Sequence, residues 1–274
     1  MSRTGLARRD PDVPAFDASA LAPDAREALA DLLLSLADDE FVVGFLDSEW
    51  TGIAPMLEED VAFSSLAQDE IGHARVFYDI LAALTGRDAD DIAFGRAADE
   101  YRHCRLLDHP RGDWAFSLAR RYLYDTADAI RLAALRDSSF LPLSEVVAKI
   151  RREETYHLMH LDAWIRRLAA GGPEPRQRLE AALEKLWPET LSVFAPLARE
   201  ETLLRNGVLG QPMAALAARQ WGQLRAALGT LGIALPDAQP SAEGGRDRVG
   251  APEGFAWLWE QFTSVRRLDP EATW

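Results

Sequence analysis

Twice in this chain of 274 residues an acidic side chain is followed, about one long helix later, by the pattern Glu-x-x-His. Glu40 precedes Glu70 by 30 residues and Asp125 precedes Glu154 by 29, while His73 and His157 stand three positions after the two glutamates. Residues i and i+3 share one face of an α-helix, so each motif aims a carboxylate and an imidazole at the same spot. Each of the four segments sits in a stretch with helical spacing of apolar residues, such as Leu33, Leu36 and Val43 around Glu40. One architecture makes sense of this repeat: an all-α, ferritin-like four-helix bundle whose inner faces bring two half-sites together around a pair of metal ions. The expected ligands are Glu40, Glu70, His73, Asp125, Glu154 and His157. Hard carboxylate oxygens with one imidazole per ion suit two iron ions, with manganese the other fitting choice, and do not suit a thiolate metal.

A single Glu-x-x-His is common on solvated helices and would carry no such weight. Here six polar groups match in register beside Leu118, Tyr122, Leu132 and Ile150, and burying carboxylates without a compensating charge costs several kcal/mol each. Within this scheme Glu49 competes with Glu40 but lies at a helix end beside Trp50, Gly52 and Pro55. Asp128 competes with Asp125 but has Arg121 and Arg131 as helical neighbours. Glu153 faces another way than Glu154, as a surface or supporting charge. His160, one turn past His157, has equal claims to a supporting role and to the helix surface, and His103 and His109 receive no role.

The periodicity places helices at Asp24 to about Trp50, Pro55 to Leu84, Asp90 to Leu107, Trp114 to Arg136 and Leu143 to Ala170. Further helices are expected near Arg176 to Arg199 and Gln211 to Leu228, then a flexible Gly- and Pro-rich loop from Pro236 to Pro252, then the amphipathic tail "FAWLWEQFTSVRRL". Residues 1–21 read as an irregular arm and residues 22–274 as one helical domain. Its core bundle covers about 24–170, and additional C-terminal helices cover about 174–267. The tryptophans of the last quarter, Trp221, Trp257, Trp259 and Trp274, suit core cover or a partner interface.

Composition narrows the function. A net charge of −14 speaks against nucleic acid as a partner. The lone Cys104 excludes an internal disulfide, a cysteine-ligated iron–sulfur cluster and a zinc finger. The N-terminus lacks the apolar stretch of a signal peptide and no run approaches 18 apolar residues, so a cytoplasmic protein is expected.

The segments "DDEFVVGFLDSEW", "LAQDEIGHA", "RRYLYDTADA" and "RREETYHLMHLDAW" resemble the bacterial multicomponent phenylacetyl-CoA epoxidase, the ring-oxygenating enzyme of phenylacetate catabolism. That resemblance implies a catalytic A subunit with a di-iron site and a related, structural C subunit that has often lost its ligands. The "SEWTGIAPMLEEDVA" turn, "KLWPET", the ending "RRLDPEATW" and the overall length are similar to the C subunit, whereas the six ligand positions match the A pattern. The implied activity is O₂ activation for epoxidation of an aryl-acyl-CoA; Tyr122 and Tyr156 are candidates to line an apolar pocket beside the metals, with packing in the bundle core as their other reading. The resemblance also implies a separate reductase and an oxygenase-like partner subunit, because this chain has no dinucleotide motif and cannot hold a ferredoxin cluster. Two other readings stand beside it: a non-catalytic, metal-binding structural subunit of the same complex, and a ferritin-like di-metal protein acting on another substrate.

Overall fold

The computed structural model describes residues 15–243, 245–246 and 252–270, and within them the chain is helical with no strand. Four long helices form the bundle: α1 (Pro23–Ser48), α2 (Leu57–Thr85), α4 (Trp114–Leu135) and α5 (Leu141–Ala170), with the short α3 (Ala89–Phe94) between the pairs. Around them lie α6 (Pro173–Leu186), α7 (Glu200–Arg205), α8 (Met213–Thr230) and α9 (Glu253–Leu268). No helix among the described residues is long and apolar enough to cross a membrane. Apolar side chains from Ala28 on α1 to Phe262 on α9 belong to one continuous core.

The α1–α2 and α4–α5 pairs are hairpins, and they meet along their inner faces. Tyr124 of α4 reaches Glu40 of α1 at 3.0 Å, and His73 of α2 reaches Glu153 of α5 at 2.8 Å. Contacts at His73–Glu153 and His157–Asp69 show that α2 and α5 run antiparallel across the centre. Where α1 crosses α2, Gly44 lets the backbones close: a Cβ there would stand 2.9 Å from Ile71 Cγ1 and 3.1 Å from both the Ala67 carbonyl oxygen and Glu70 Cβ. Local signals set the ends. Gly86 terminates α2 in the left-handed conformation (φ 75°), which a glycine adopts without strain. Asp113 caps α4 by accepting from the Phe116 N–H at 2.8 Å.

Three expectations need correction. The segment Asp90 to Leu107 is not one helix: after α3 it becomes irregular, with 3₁₀ turns at Ala98–Glu100 and Arg105–Asp108. Its free backbone donors are used by buried acids instead of a helix ladder, the Arg102 N–H by Asp38 (2.6 Å) and the Cys104 N–H by Asp39 (2.7 Å). The helix expected from Arg176 to Arg199 stops at Leu186, since Pro188 has no N–H to continue it, and 3₁₀ turns follow before α7. The loop expected to be flexible between Pro236 and Pro252 inserts Arg246 into the bundle, where it is buried against Asp39. Of the N-terminal arm, residues 1–14 lie outside the described residues, and Ala18–Ala20 form a 3₁₀ turn.

Candidate metal centre

Helix α1 carries three consecutive acids, Asp38, Asp39 and Glu40, all fully buried. Successive helical residues point about 100° apart, so each meets different company. Asp38 bonds Arg96 and the Tyr78 hydroxyl. Asp39 is gripped by Arg131 and Arg246. Glu40 alone turns to the bundle axis, where the Glu-x-x-His faces of α2 and α5 and the Asp125 face of α4 arrive from the other three sides.

The structure brings the six positions together. Donor atoms of Glu40, Glu70, His73 and Glu154 lie within 4.8 Å of one another, as do those of Asp125, Glu154 and His157, so Glu154 is shared by both groups. Both imidazoles turn Nδ1 inward: His73 Nδ1 is 3.1 Å from Glu70 and 3.6 Å from both Glu40 and Glu154, and His157 Nδ1 is 3.1 Å from Glu154 and 3.2 Å from Glu70. The outward Nε2 atoms are held crosswise. Glu153, next to Glu154 on α5, takes His73 at 2.8 Å; Asp69, next to Glu70 on α2, takes His157 at 3.2 Å. A carboxylate on the outer nitrogen fixes ring orientation and raises the basicity of the inner one.

The donor set fits a pair of divalent ions. Glu40 Oε2, Asp125 Oδ1, Glu154 Oε1 and His157 Nδ1 are buried and make no hydrogen bond, an expensive condition unless another partner takes the lone pairs. The charge agrees. Seven buried carboxylates surround the site (Asp39, Glu40, Asp47, Glu70, Asp125, Asp128 and Glu154) against the guanidinium groups of Arg121, Arg131 and Arg246. With the buried Arg120 counted as a fourth cation, the carboxylates exceed the guanidinium groups by three, an excess that divalent ions would offset. Arg120 gives only Nη1 to hydrogen bonds, with the carbonyls of His109 and Pro110. Without metal, protons carry this charge. Burial, reinforced by the charge of Glu70, pushes the Glu40 carboxyl well up. Burial likewise raises Asp125 well above the carboxylate range against the pull of Arg121. Burial would lower His157, but Glu154 and Glu70 override it and push the imidazole up to about 11; His73 is raised well above its usual value by Glu153, Glu40 and Glu70 in the same way. Glu70 is the exception: against its burial, the Arg121 guanidinium holds it well below the carboxylate range.

Other expectations fare differently. Tyr156 is 72% exposed, because it precedes His157 by one residue and so points about 100° away from the site face. Tyr122 is buried, but the charges acting on its phenol are Asp162 and Arg166 of α5, not the ligand set. The tyrosine at the centre is Tyr124, which donates to Glu40 Oε1. Asp128 pairs with Arg131 at 2.5 Å, and Glu49 is the capping residue after α1; neither joins a ligand group. His160 stands 3.0 Å from Glu59, His103 bonds Asp108 at 2.9 Å beneath Phe255, and His109 lies 3.6 Å from Glu189. Trp221 packs on Trp187, and Trp259 donates to the Arg96 carbonyl oxygen at 3.0 Å. Trp257 is 52% exposed, and Trp274 lies outside the described residues. What the sequence reading missed is the set of buried cations. Arg121, Tyr124, Asp125, Asp128 and Arg131 recur at three- and four-residue steps, a polar stripe along α4 that was legible as such.

Residues 14–274 match the protein family described as Phenylacetic acid catabolic protein. The chain belongs to that family. Among curated members, the C subunit of 1,2-phenylacetyl-CoA epoxidase from Escherichia coli (strain K12) is 30% identical over 242 residues, covering 88% of this chain and 97% of the relative. The A subunit of the same enzyme is 27% identical over 175 residues, covering 64% of this chain and 56% of that relative. This family member therefore aligns with nearly the whole of the first relative and about half the length of the second.

Proposed function

We propose that this chain is a di-iron subunit of a phenylacetyl-CoA epoxidase-type ring-oxygenating complex, acting on an aryl-acyl-CoA together with a separate reductase and an oxygenase-like partner subunit. The observation that carries the proposal is the complete buried ligand set, with both Nδ1 atoms inward and unbonded carboxylate oxygens around them, in a chain similar along its length to an epoxidase subunit. Glu40, Glu70, His73 and Glu154 would hold one iron and Asp125, Glu154 and His157 the other, with manganese the alternative ion. A bound iron pair would supply the redox chemistry that reduces O₂.

The residues themselves do the rest. Glu154 belongs to both donor groups and couples them. Asp69 and Glu153 hold the imidazoles in the orientation that presents Nδ1. Tyr124 donates a proton to the hydrogen bond on Glu40 Oε1 and leaves Oε2 open. All six residues are buried, and removal from water strengthens every charge interaction among them. A second reading, a metal-binding subunit with a structural role in the same complex, is favoured by the greater coverage of the C subunit. The test separates them: Glu70→Ala with Glu154→Ala is introduced in this chain alone, and turnover of phenylacetyl-CoA by the reconstituted complex is measured with reductase, NADPH and O₂. Loss of turnover supports the catalytic reading; unchanged turnover assigns the structural one. Metal analysis after anaerobic ferrous loading is expected to give about two ions per chain, and no bound iron or manganese would remove the basis of both.

A further inference from the structure

The buried cations of α4 are not equivalent. Arg131 is fully engaged: its guanidinium holds Asp128 and Asp39 at 2.5 Å each and only approaches Glu40, at 3.9 Å. Arg121 instead grips two ligand residues directly, with Nη2 2.6 Å from Glu70 Oε1 and 3.2 Å from Asp125 Oδ2. It thereby joins α2 to α4 across the space between the half-sites. Its other edge is idle: Nε and Nη1 donate no hydrogen bond. Facing that edge is Asp47, two turns beyond Glu40 on α1, fully buried, with Oδ2 3.3 Å from Arg121 Nη1 and neither oxygen accepting a hydrogen bond. Asp47 belongs to neither group of ligand atoms.

We propose that Arg121 is an internal counter-ion that holds Glu70 and Asp125 when no metal is bound and transfers wholly onto Asp47 when metal enters. This rests on the di-metal reading above. Two cations cannot share the same buried carboxylates without mutual repulsion in a medium of low dielectric. The incoming metal therefore drives the guanidinium off, and the one unbonded carboxylate that it already faces receives it. A buried guanidinium leaves its partners only if another buried anion is at hand, which gives Asp47 a purpose that packing does not. The exchange makes the empty site tolerable to the fold and sets a threshold on metal affinity, because loading must first break the Arg121 contacts with Glu70 and Asp125.

The test uses the full metal-free chain, Arg121→Met and Asp47→Asn, with two readouts: thermal unfolding in chelator, and Mn²⁺ or Co²⁺ affinity by chelator competition. Arg121→Met is expected to lower the metal-free unfolding temperature yet raise metal affinity by roughly tenfold or more, the usual size of such a coupling. Asp47→Asn is expected to lower the metal-free unfolding temperature less than Arg121→Met does, because Arg121 keeps Glu70 and Asp125, and to bind metal roughly tenfold more weakly, since Arg121 has nowhere to go. If Arg121→Met does not fold, Asp47→Asn decides alone. Wild-type affinity in the folded variants overturns the exchange while leaving the metal site standing. No binding by wild type or variants overturns the di-metal reading and the exchange with it. Binding by Arg121→Met where wild type binds none also overturns the exchange, because Arg121 then never yields the site to metal.

Discussion

Replacing Gly44 and Gly72 separately by alanine should move the stability of this protein in opposite directions. Both are helical glycines within a few residues of ligands, and by helix propensity alone each alanine should gain about 1 kcal/mol. The surroundings decide otherwise for Gly44. Its new methyl group would sit 2.9 Å from Ile71 Cγ1, which can shift, but also 3.1 Å from the Ala67 carbonyl oxygen and 3.1 Å from Glu70 Cβ, which are fixed by the helix and the ligand cluster. Overpacking of this kind costs about 1–3 kcal/mol, leaving a net loss of about 0–2 kcal/mol. At about 2–4 °C per kcal/mol for a chain of this size class, the melting temperature falls by up to ~8 °C. Nothing lies within 4 Å of a Cβ at Gly72, so Gly72→Ala should gain ~0.5–1 kcal/mol and raise the melting temperature by ~1–4 °C. Calorimetry in chelator reads both. Metal titration should show weaker binding by Gly44→Ala only, because the α1–α2 strain is delivered at Glu70. If Gly44→Ala is stabilised as much as Gly72→Ala, the helices do not approach as described and the reasoning fails.

Asp69→Asn and Glu153→Gln should each weaken metal binding by roughly 10–100-fold, the usual effect of removing a carboxylate behind a ligating histidine, with little change in the metal-free melting temperature because both acids are partly exposed; circular dichroism and chelator competition check the two halves of that claim. Arg246→Ala should cost about 3–5 kcal/mol by leaving buried Asp39 with Arg131 alone, read from the urea midpoint. The metal-free protein should lose stability between about pH 6.5 and about 11: the raised His157 (about 11) and His73 contribute stability that is complete below 6.5 and declines as pH climbs toward their folded values. Glu40 and Asp125, held protonated by burial, become costlier over the same rise, while Glu70 stays ionised throughout. Metal affinity should strengthen in parallel and loading should release protons into a weakly buffered solution; a melting temperature that climbs with pH in chelator would contradict this assignment of charges.

The bundle and the meeting of the six acid and imidazole positions at its centre were legible in the sequence because both follow from helical period: Glu70 with His73 and Glu154 with His157 can only share a face if their helices form. Period could not reveal what lies between helices. Arg121 and Arg131 counted against Asp128 as charged neighbours, yet Arg121 lies one turn before Asp125 and touches it, so the same objection applied to the preferred residue. Their burial is visible only when the acids of α1 and α2 arrive opposite them. Likewise Asp38 and Asp39 gave no sign of tying down Arg96, Arg102 and Cys104, which is why the stretch after α3 read as a helix. Tyr156 was misplaced by one residue of rotation. Arg246 lies 207 residues from its partner Asp39, a distance over which no local pattern carries information.

Helix α1 is apolar or buried on nearly every side through its middle, so hydrophobic burial leaves its rotation about its own axis undetermined. The three acids supply that setting. A turn of one residue that carried Glu40 into the place of Asp39 would set a longer carboxylate against Arg131 and Arg246, withdraw the Cys104 amide's partner and bring Phe41, not an acid, to the donor cluster. The ion pairs at Asp38 and Asp39 thus act as keys in a lock: they index the helix, and Glu40 reaches the centre because its two neighbours are held elsewhere.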